Sequence, residues 1–368
     1  MTPLAEAIVD VDAISRNVRV LAAHRPGVTV MAVVKADGFG HGAVTAARAA
    51  IAGGASWLGV TRLHEAIELR DAGITAPILA WLYETGDVAT VAADTDVDLS
   101  VSSLDELALI ARSGSRVRVH IKLDTGLHRG GVAREHWETV LHAASGFETE
   151  GSVSVRGIWS HLSHAYLPED DHNGKQLDAL REGVALARQA GLSPEFMHVA
   201  NSAGTVGLDA PDLNLVRIGA GMYGIDELGI GLEPAMRLTA RLVQARRIPA
   251  GDGVSYGHDW IAPRETNVGL VPIGYADGIP RITGNRAQVF CRGRLMPVVG
   301  RVAMDQFVID AGDDPIEPGD EVVVFGPGTQ GEPTAAQWAD WSETISHEIY
   351  CGIGNRIPRV PVRAGALR

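Results

Sequence analysis

The sequence predicts an α/β chain in which a (β/α)8 TIM-like barrel is followed by a C-terminal β domain. Three observations lead there. Up to about residue 230, short apolar runs alternate with segments whose apolar residues recur three or four apart. Beyond Glu233 the helical spacing nearly disappears, and Val- and Ile-rich runs follow one another, separated by Gly and Pro. The first part holds eight apolar runs, which fits a closed barrel better than an open doubly wound sheet, the alternative for this texture.

In chain order the expected barrel strands are 28–34, 57–60, 78–80, 97–100, 117–123, 153–160, 196–199 and 213–218. Strands this short, joined by helices, must be parallel, because each crossover returns the chain to the same end. Helical spacing covers 43–52, 63–71, 105–111, 135–144 and 176–190. Ser103 stands where it would cap one of these helices, with Glu106 three residues on. Gly73, Gly114, Gly146 and Gly191 stand where helices should stop. The β domain is expected to use 238–248, 266–272, 288–291, 296–299, 307–309 and 321–325 as strands. The boundary falls between 233 and 234, so that residues 1–233 form the barrel and 234–368 the β domain. Residues 1–10, with the apolar run 5–9, precede the first barrel strand and fit either domain. No solenoid-period repeat and no low-complexity tract interrupts this order.

Composition narrows the function. Of 368 residues, 46% are hydrophobic and 21% charged, proportions of a globular protein, and no run approaches the ~18 apolar residues of a spanning helix. A formal charge of −13 argues against nucleic acid, whose phosphates it would repel. A small anion remains compatible, since it needs only a local positive site. Two cysteines, Cys291 and Cys351, stand outside any CxxC pair and read as small buried thiols in a reducing compartment. The start MTPLAEAIVDVDAI has neither the basic opening nor the apolar core of a signal peptide, so a cytoplasmic location is expected. Glycine, at 43 residues, is abundant enough to suggest tight turns and backbone brought close to a ligand.

The motif MAVVKADGFGHG (31–42) runs an apolar strand straight into Lys35 and then into a glycine-dense turn. A lysine at the carboxyl end of a barrel strand sits at the mouth where barrel sites are built. Partial desolvation lowers its pKa, and a neutral amine is what Schiff-base chemistry requires. The bland alternative is a snorkelling surface lysine. NLVRIGAGMYG (214–224) matches G-x-G-x-x-G after a strand but lacks the following helix and acidic residue of a dinucleotide fold. Its glycines make a phosphate cradle, with Ser202 of HVANSAG offering a hydroxyl from the preceding strand, or capping a helix there. Arg217 lies inside an apolar strand and needs a partner: an ion pair with Asp124 or Asp37, or a ligand acceptor. SHLSHAYLPEDDH (160–172) places His161, His164 and His172 among acids, but without the spacing of a metal site. No metal is expected; His161 reads as a strand-end residue of the site, His164 and His172 as loop residues. In the β domain, Tyr256, Tyr275, Met304 and Asp305, taken alone, read as turn and core residues.

Taken in order, VVKADGFGHG, KLDTGLHRGG, SHLSH, HVANSAG, VRIGAGMYG, VSYGHDW, GYADG, GRVAMDQ and GNRIPR span both domains. Together they resemble alanine racemase, a fold-type III pyridoxal 5'-phosphate (PLP) enzyme. The resemblance implies a barrel paired with a β domain, and a homodimer whose sites are shared between subunits. It implies that Lys35 carries PLP in a Schiff base, that Ser202 and the backbone of Gly219 and Ala220 hold the phosphate, and that Arg217 donates to the pyridine nitrogen. An arginine there has no proton to accept, so the ring nitrogen stays unprotonated and a carbanion is short-lived. Lys35 and Tyr256 match the two catalytic residues that exchange protons on opposite faces of Cα. A tyrosine with an ordinary pKa near 10 is a poor base at neutral pH, and His161, linked towards Arg217, matches the group that supports it. Arg129 and the Met304 backbone match the holders of the substrate carboxylate, and Tyr275 a further substrate contact. Lys122 matches a lysine that is carbamylated in some members; an anion is the alternative. Two positions depart from the family: Phe39 and Asn355 stand where tyrosines are common. The implied activity is interconversion of L- and D-alanine for peptidoglycan; the alternative is a broader amino-acid racemase on the same scaffold. A PLP-carrying protein without turnover, the reading from another class, would lack the β domain.

Overall fold

The computed structural model describes residues 3–84 and 86–363. After β1 (Ala5–Asp10), eight strands share one parallel sheet: β2 (Thr29–Val33), β3 (Trp57–Arg62), β4 (Ile78–Leu82), β5 (Val97–Val101), β6 (Val117–Lys122), β7 (Val153–Trp159), β8 (Phe196–His198) and β9 (Leu215–Ile218). Their order is β8-β7-β6-β5-β4-β3-β2-β9, so every neighbour but β9 is consecutive in the chain. Met31 of β2 registers with Trp57 on one side and Arg217 on the other. The two ends of the order approach each other and nearly close a barrel. There the main-chain N–H of Arg217 donates to Ala200 O at 2.9 Å. The Asn214 side chain spans the same seam, accepting from Met197 N at 2.9 Å and donating to Glu195 O at 2.6 Å. All eight expected strands form. Met31, Trp57, Leu79, Phe196 and Leu215 cluster in the core, with Trp81 against them. Each large side chain buried this way contributes about 1.5–3 kcal/mol.

Most helices between strands follow local signals, but Val88–Asp94, between β4 and β5, was not expected. Ser103 caps Leu104–Ala111 by accepting from Glu106 N, while the Glu106 carboxylate accepts from Ser102 N, one residue earlier than in the usual box. Gly73, Gly114 and Gly191 follow helices with φ of 78°, 80° and 94°, a region other residues disfavour. Gly146 does not stop its helix, which continues from Trp137 to Thr149; Gly151, at φ 83°, follows its end. The helix Val11–Ala23 was not expected; Asp10 Oδ1 caps it by accepting from Asp12 N and Ala13 N.

The remaining described residues, 3–13, 39–42 and 233–363, form a second compact unit. Its strands are β10 (Met236–Arg241), β11 (Gln244–Ile248), the short pair β12 (Gly253–Val254) and β13 (Trp260–Ile261), β14 (Thr266–Val271), β15 (Gln288–Cys291), β16 (Arg294–Val299), β17 (Phe307–Gly312), β18 (Glu321–Phe325) and β19 (Arg359–Val362). They order as β11-β14-β17-β16-β15-β18-β10-β1-β19, so β1 is a strand of this unit. The run 238–248 is two strands. At Leu242 and Val243 the chain changes partner: Leu242 N donates to Asp320 O and Val243 N to Leu270 O, 3.0 Å each. Two helices, Ala335–Trp341 and Ser346–Gly352, pack in a region expected to be all strand. Cys291 is buried, but Cys351 is exposed, against the expectation of two buried thiols. No helix among the described residues is long and apolar enough to cross a membrane.

Candidate active site

In a parallel barrel every strand delivers its carboxyl end to one rim. Here those ends carry Lys35 after β2, Lys122 closing β6, Ser160 and His161 after β7, Ser202 after β8, and Arg217 and Gly219 at the end of β9. Lys35 opens an unusual turn: Ala36, Asp37 and Gly38 are all left-handed, with φ of 53°, 51° and 61°. For Ala36 and Asp37 this costs about 1–2 kcal/mol each. The turn is held by Glu65, whose carboxylate accepts from Ala36 N at 2.7 Å and from Thr61 N and Arg62 N at 2.8 Å each. Asp37 Oδ1 accepts from Ala43 N at 2.8 Å. The motif's glycines signalled a tight turn; nothing in the sequence signalled Glu65 as its clamp.

Arg217 is 4% exposed. Neither Asp124 nor Asp37 pairs with it, because both bind nearby backbone N–H groups, Asp124 those of Gly126 and His128. Its partners are neutral. Nη1 donates to His198 Nδ1 at 2.9 Å; Nη2 faces Ser160 O at 2.9 Å, His161 Nδ1 at 3.1 Å and Val199 O at 3.2 Å. The guanidinium also lies over the Trp159 ring at 4.7 Å. Burial pushes its pKa down to about 9, so it remains charged at neutral pH. A guanidinium has five N–H groups; one on Nη1 and the two on Nη2, shared among three acceptors, are engaged, which leaves the second Nη1 hydrogen and Nε–H for something outside this set.

Four cations converge on His161. Its own burial first, then Arg217, Arg129, Lys122 and Lys35, hold its pKa well below the ordinary range. His161 is therefore neutral; since an arginine only donates, its Nδ1 accepts and its proton sits on Nε2. Lys122, half-buried with Nζ 5.1 Å from the Trp159 ring centre, is lowered by burial and then by Arg129 and Arg217. A positive cluster in a chain of net charge −13 is a local anion site.

The expected phosphate cradle differs in detail. Asn201, not Ser202, caps the helix Ser202–Gly207, accepting from Gly204 N at 2.9 Å. Ser202 Oγ instead accepts from Gly219 N at 2.9 Å and Gly221 N at 3.2 Å, so the Gly219 amide is engaged within the protein. Ser202 keeps its O–H to donate, and Ala220 opens the following 3-10 turn. His172 lies in the first turn of the helix Asp171–Gln189, not in a loop. His164, Asp170 and His172 approach one another, but His164 Nδ1 is bonded to Ser163 Oγ and His172 Nδ1 to Asp170 Oδ1, 2.7 Å each.

Tyr256, Tyr275 and Met304 belong to the second unit and are 70%, 44% and 53% exposed, so they are surface groups rather than core. Tyr256 sits between Ser255 at φ 63° and Gly257 at φ 76°. Ser255 Oγ donates to Arg301 O at 2.7 Å, and the Arg301 guanidinium binds the Asp259 carboxylate on the far side of the turn. Tyr275 and Met304 are brought side by side: Tyr275 N donates to Ala303 O at 3.0 Å and Ala276 N to Met304 O at 2.9 Å. Below them, Arg356 donates to buried Asp277 at 2.8 and 2.9 Å and to Asp305 at 2.8 Å. Phe39 is buried and tilted against His347 at 5.9 Å.

The sequence matches two family models end to end: alanine racemase, N-terminal domain, over residues 9–227, and alanine racemase, C-terminal domain, over 235–361. It is 47% identical to the alanine racemase of Thermobifida fusca, covering 100% of both chains. The crystal structure of alanine racemase from D-cycloserine-producing Streptomyces lavendulae superposes with a TM-score of 0.94 at 44% identity, covering 98% of each chain. That of Bartonella henselae, solved with covalently bound pyridoxal phosphate, gives 0.87 at 28% identity over 98% of this chain and 100% of that one. An eight-stranded parallel barrel with a lysine-bearing rim, a separate strand-rich unit and identity along the full length lead to one statement: the chain belongs to the alanine racemase family.

Proposed function

We propose that this chain interconverts L-alanine and D-alanine with PLP held by Lys35, as a cytoplasmic homodimer whose D-alanine supplies peptidoglycan. The observation that carries this reading is Arg217, buried and bonded to His161 at 3.1 Å and His198 at 2.9 Å, on the rim to which the strands also deliver Lys35, Lys122 and Ser202. The donor set fits PLP: an unused Arg217 N–H suits an unprotonated ring nitrogen, and the Ser202 hydroxyl suits a phosphate oxygen. When bound, PLP supplies an electron sink that acidifies the Cα–H of an attached amino acid.

The protein's own residues do the rest. Arg217, which donates and has no lone pair to receive a pyridinium N–H, keeps the ring nitrogen unprotonated and limits how long negative charge persists at Cα. Lys35 moves a proton on one face and Tyr256 of the partner subunit on the other. His161, neutral and with its proton on Nε2, donates to the tyrosine oxygen when that oxygen is negative. Arg129, with the Met304 N–H, binds the substrate carboxylate, and Tyr275 lines the substrate. Lys122, its pKa lowered, is suited to carbamylation, which would place a negative charge beside Arg129 and hold it.

Borohydride reduction of the purified protein, followed by peptide mapping, tests the cofactor assignment: the label is expected on Lys35, and a label on another lysine overturns it. A proton-exchange assay over a panel of L-amino acids tests the substrate. Fast exchange with alanine is expected; equal rates with serine or larger substrates would favour the broader racemase.

A further inference from the structure

Beneath the rim, the barrel interior holds a line of polar side chains that takes no part in the steps above. Arg217 Nη1 donates to His198 Nδ1 at 2.9 Å and His198 Nε2 lies 3.0 Å from His120 Nδ1; His120 Nε2 is 3.4 Å from Asp98 Oδ2, close enough to feel its charge but without the alignment of a hydrogen bond. Asp98, His120 and His198 are each 0% exposed. The hydrogens in this line have one consistent direction. Arginine only donates, so His198 Nδ1 accepts and the His198 proton is on Nε2. His120 Nδ1 then accepts it, which leaves the His120 proton on Nε2, the ring nitrogen nearer the carboxylate. Burial, then Arg217 and His120, hold His198 neutral, as an acceptor must be.

The far end is anchored. Asp98 Oδ1 accepts from Arg118 Nε at 2.6 Å and Oδ2 from Arg156 Nη1 at 3.3 Å. The two imidazoles are walled by rings: Trp159 stacks on His198 at 5.5 Å, Phe196 on His120 at 6.1 Å, and Trp57 meets His120 edge-on at 5.6 Å. Gly157 leaves room for the line, since a Cβ there would sit 2.3 Å from His120 Nδ1. The donor-only group at one end sets the direction, and the negative charge of Asp98, 3.4 Å from His120 Nε2 at the other, favours the same one.

We propose that Asp98 is a positioning residue for Arg217: acting through His120 and His198, it favours the tautomers that fix the rotation of the guanidinium and hence the direction of its remaining N–H groups. The consequence for the ring nitrogen rests on the proposed function; the direction of the hydrogens does not.

Two-bond nitrogen–proton correlation spectra of the holoenzyme, labelled with ¹⁵N-histidine and assigned with His120→Gln and His198→Gln, read the tautomer of each ring. Both protons are expected on Nε2; a proton on Nδ1 of either ring overturns the proposal. Asp98→Asn supplies the perturbation. Its oxygen stays with Arg118, its amide nitrogen falls where Oδ2 stood, and it must donate to His120 Nε2. Both rings should then invert and set His198 N–H against Arg217. The Arg217 side-chain nitrogen signals should move, and PLP binding should weaken about tenfold to a hundredfold, the loss of one hydrogen bond to a charged group. Unchanged tautomers with unchanged PLP binding would refute the positioning role. Should Asp98→Asn fail to fold, a proton on Nδ1 of either ring in the unaltered protein still overturns the proposal. Correct tautomers without racemisation would strike the proposed function alone; Nδ1 protons in an active racemase would strike this inference alone.

Discussion

Replacing Gly157 by alanine adds one methyl group to the barrel interior, and the structure gives its cost. The new Cβ would lie 2.3 Å from His120 Nδ1, 2.9 Å from Cε1 and 3.0 Å from Cγ, where ordinary contact begins at 3.4 Å. The imidazole must therefore retreat by roughly 1 Å (3.4 − 2.3 = 1.1), against Phe196 and Trp57 that already pack on it. Overpacking of this kind costs about 1–3 kcal/mol. The retreat also stretches the 3.0 Å contact with His198, and a buried polar atom left without its partner costs about 1–3 kcal/mol more. The expected total is about 2–6 kcal/mol, read as a lower urea midpoint followed by tryptophan fluorescence. Gly146→Ala is the control, because that glycine lies inside the helix Trp137–Thr149 with nothing within 4 Å of an added Cβ. There alanine should stabilise by about 0.5–1 kcal/mol. Equal effects at the two positions, or a loss below about 1 kcal/mol at Gly157, would refute the packing argument.

Three further outcomes are expected. His198 is neutral in the fold and takes up a proton on unfolding below the ordinary histidine pKa, so stability falls as pH drops through about 6.5, by up to about 1.4 kcal/mol per pH unit for this group; the slope should flatten in His198→Gln, and an unchanged slope would count against it. Lys35→Ala and Tyr256→Phe proteins, each inactive, should regain activity when mixed under conditions of subunit exchange; no recovery despite proven exchange would argue against a shared site. Phe39→Tyr should tighten PLP binding by at most about tenfold to a hundredfold, one charge-assisted hydrogen bond, measured as the dissociation constant after cofactor removal; weaker binding with the fold intact would mean that the ring beside His347 lies away from the phosphate.

The barrel was legible because its signal is periodic: eight apolar runs separated by helical spacing leave little choice of architecture. The β unit was harder to read. The run 238–248 is continuous in sequence, and only the exchange of partners at Leu242 and Val243 divides it. Gly146 misled because a helix whose neighbouring turns are packed tolerates an exposed glycine for under ~1 kcal/mol. At the site, Lys35, His161 and Arg217 announced themselves as charged or titratable groups where strands end. Glu65 did not, since a carboxylate in the first turn of a helix is ordinary, and its grip on Ala36 N depends on two strands lying side by side. His120 in VRVHIK and Asp98 in VDLSV carried a usable signal, a polar residue within a buried strand that must have a partner. That they partner each other is a fact of barrel register, which places Ser100 opposite His120 and so brings β5 and β6 together.

The buried line also explains why the residue at 217 suits arginine rather than lysine. Burial alone takes the guanidinium from 12.5 to about 9, a drop of about 3.5 (12.5 − 9). A lysine starts lower, near 10.4, and burial would carry it further towards the neutral form. It would also bring three donors to a place with four acceptors, His198 Nδ1, His161 Nδ1, Ser160 O and Val199 O. Arginine starts from a higher pKa, meets every acceptor and keeps two N–H groups to spare. The guanidinium can therefore sit in the barrel without a carboxylate touching it, because its neighbours are neutral acceptors whose hydrogens are already committed elsewhere. A carboxylate in direct contact would neutralise the local field on which the cationic rim depends; Asp98, two imidazoles away, orders the donors while leaving that field in place.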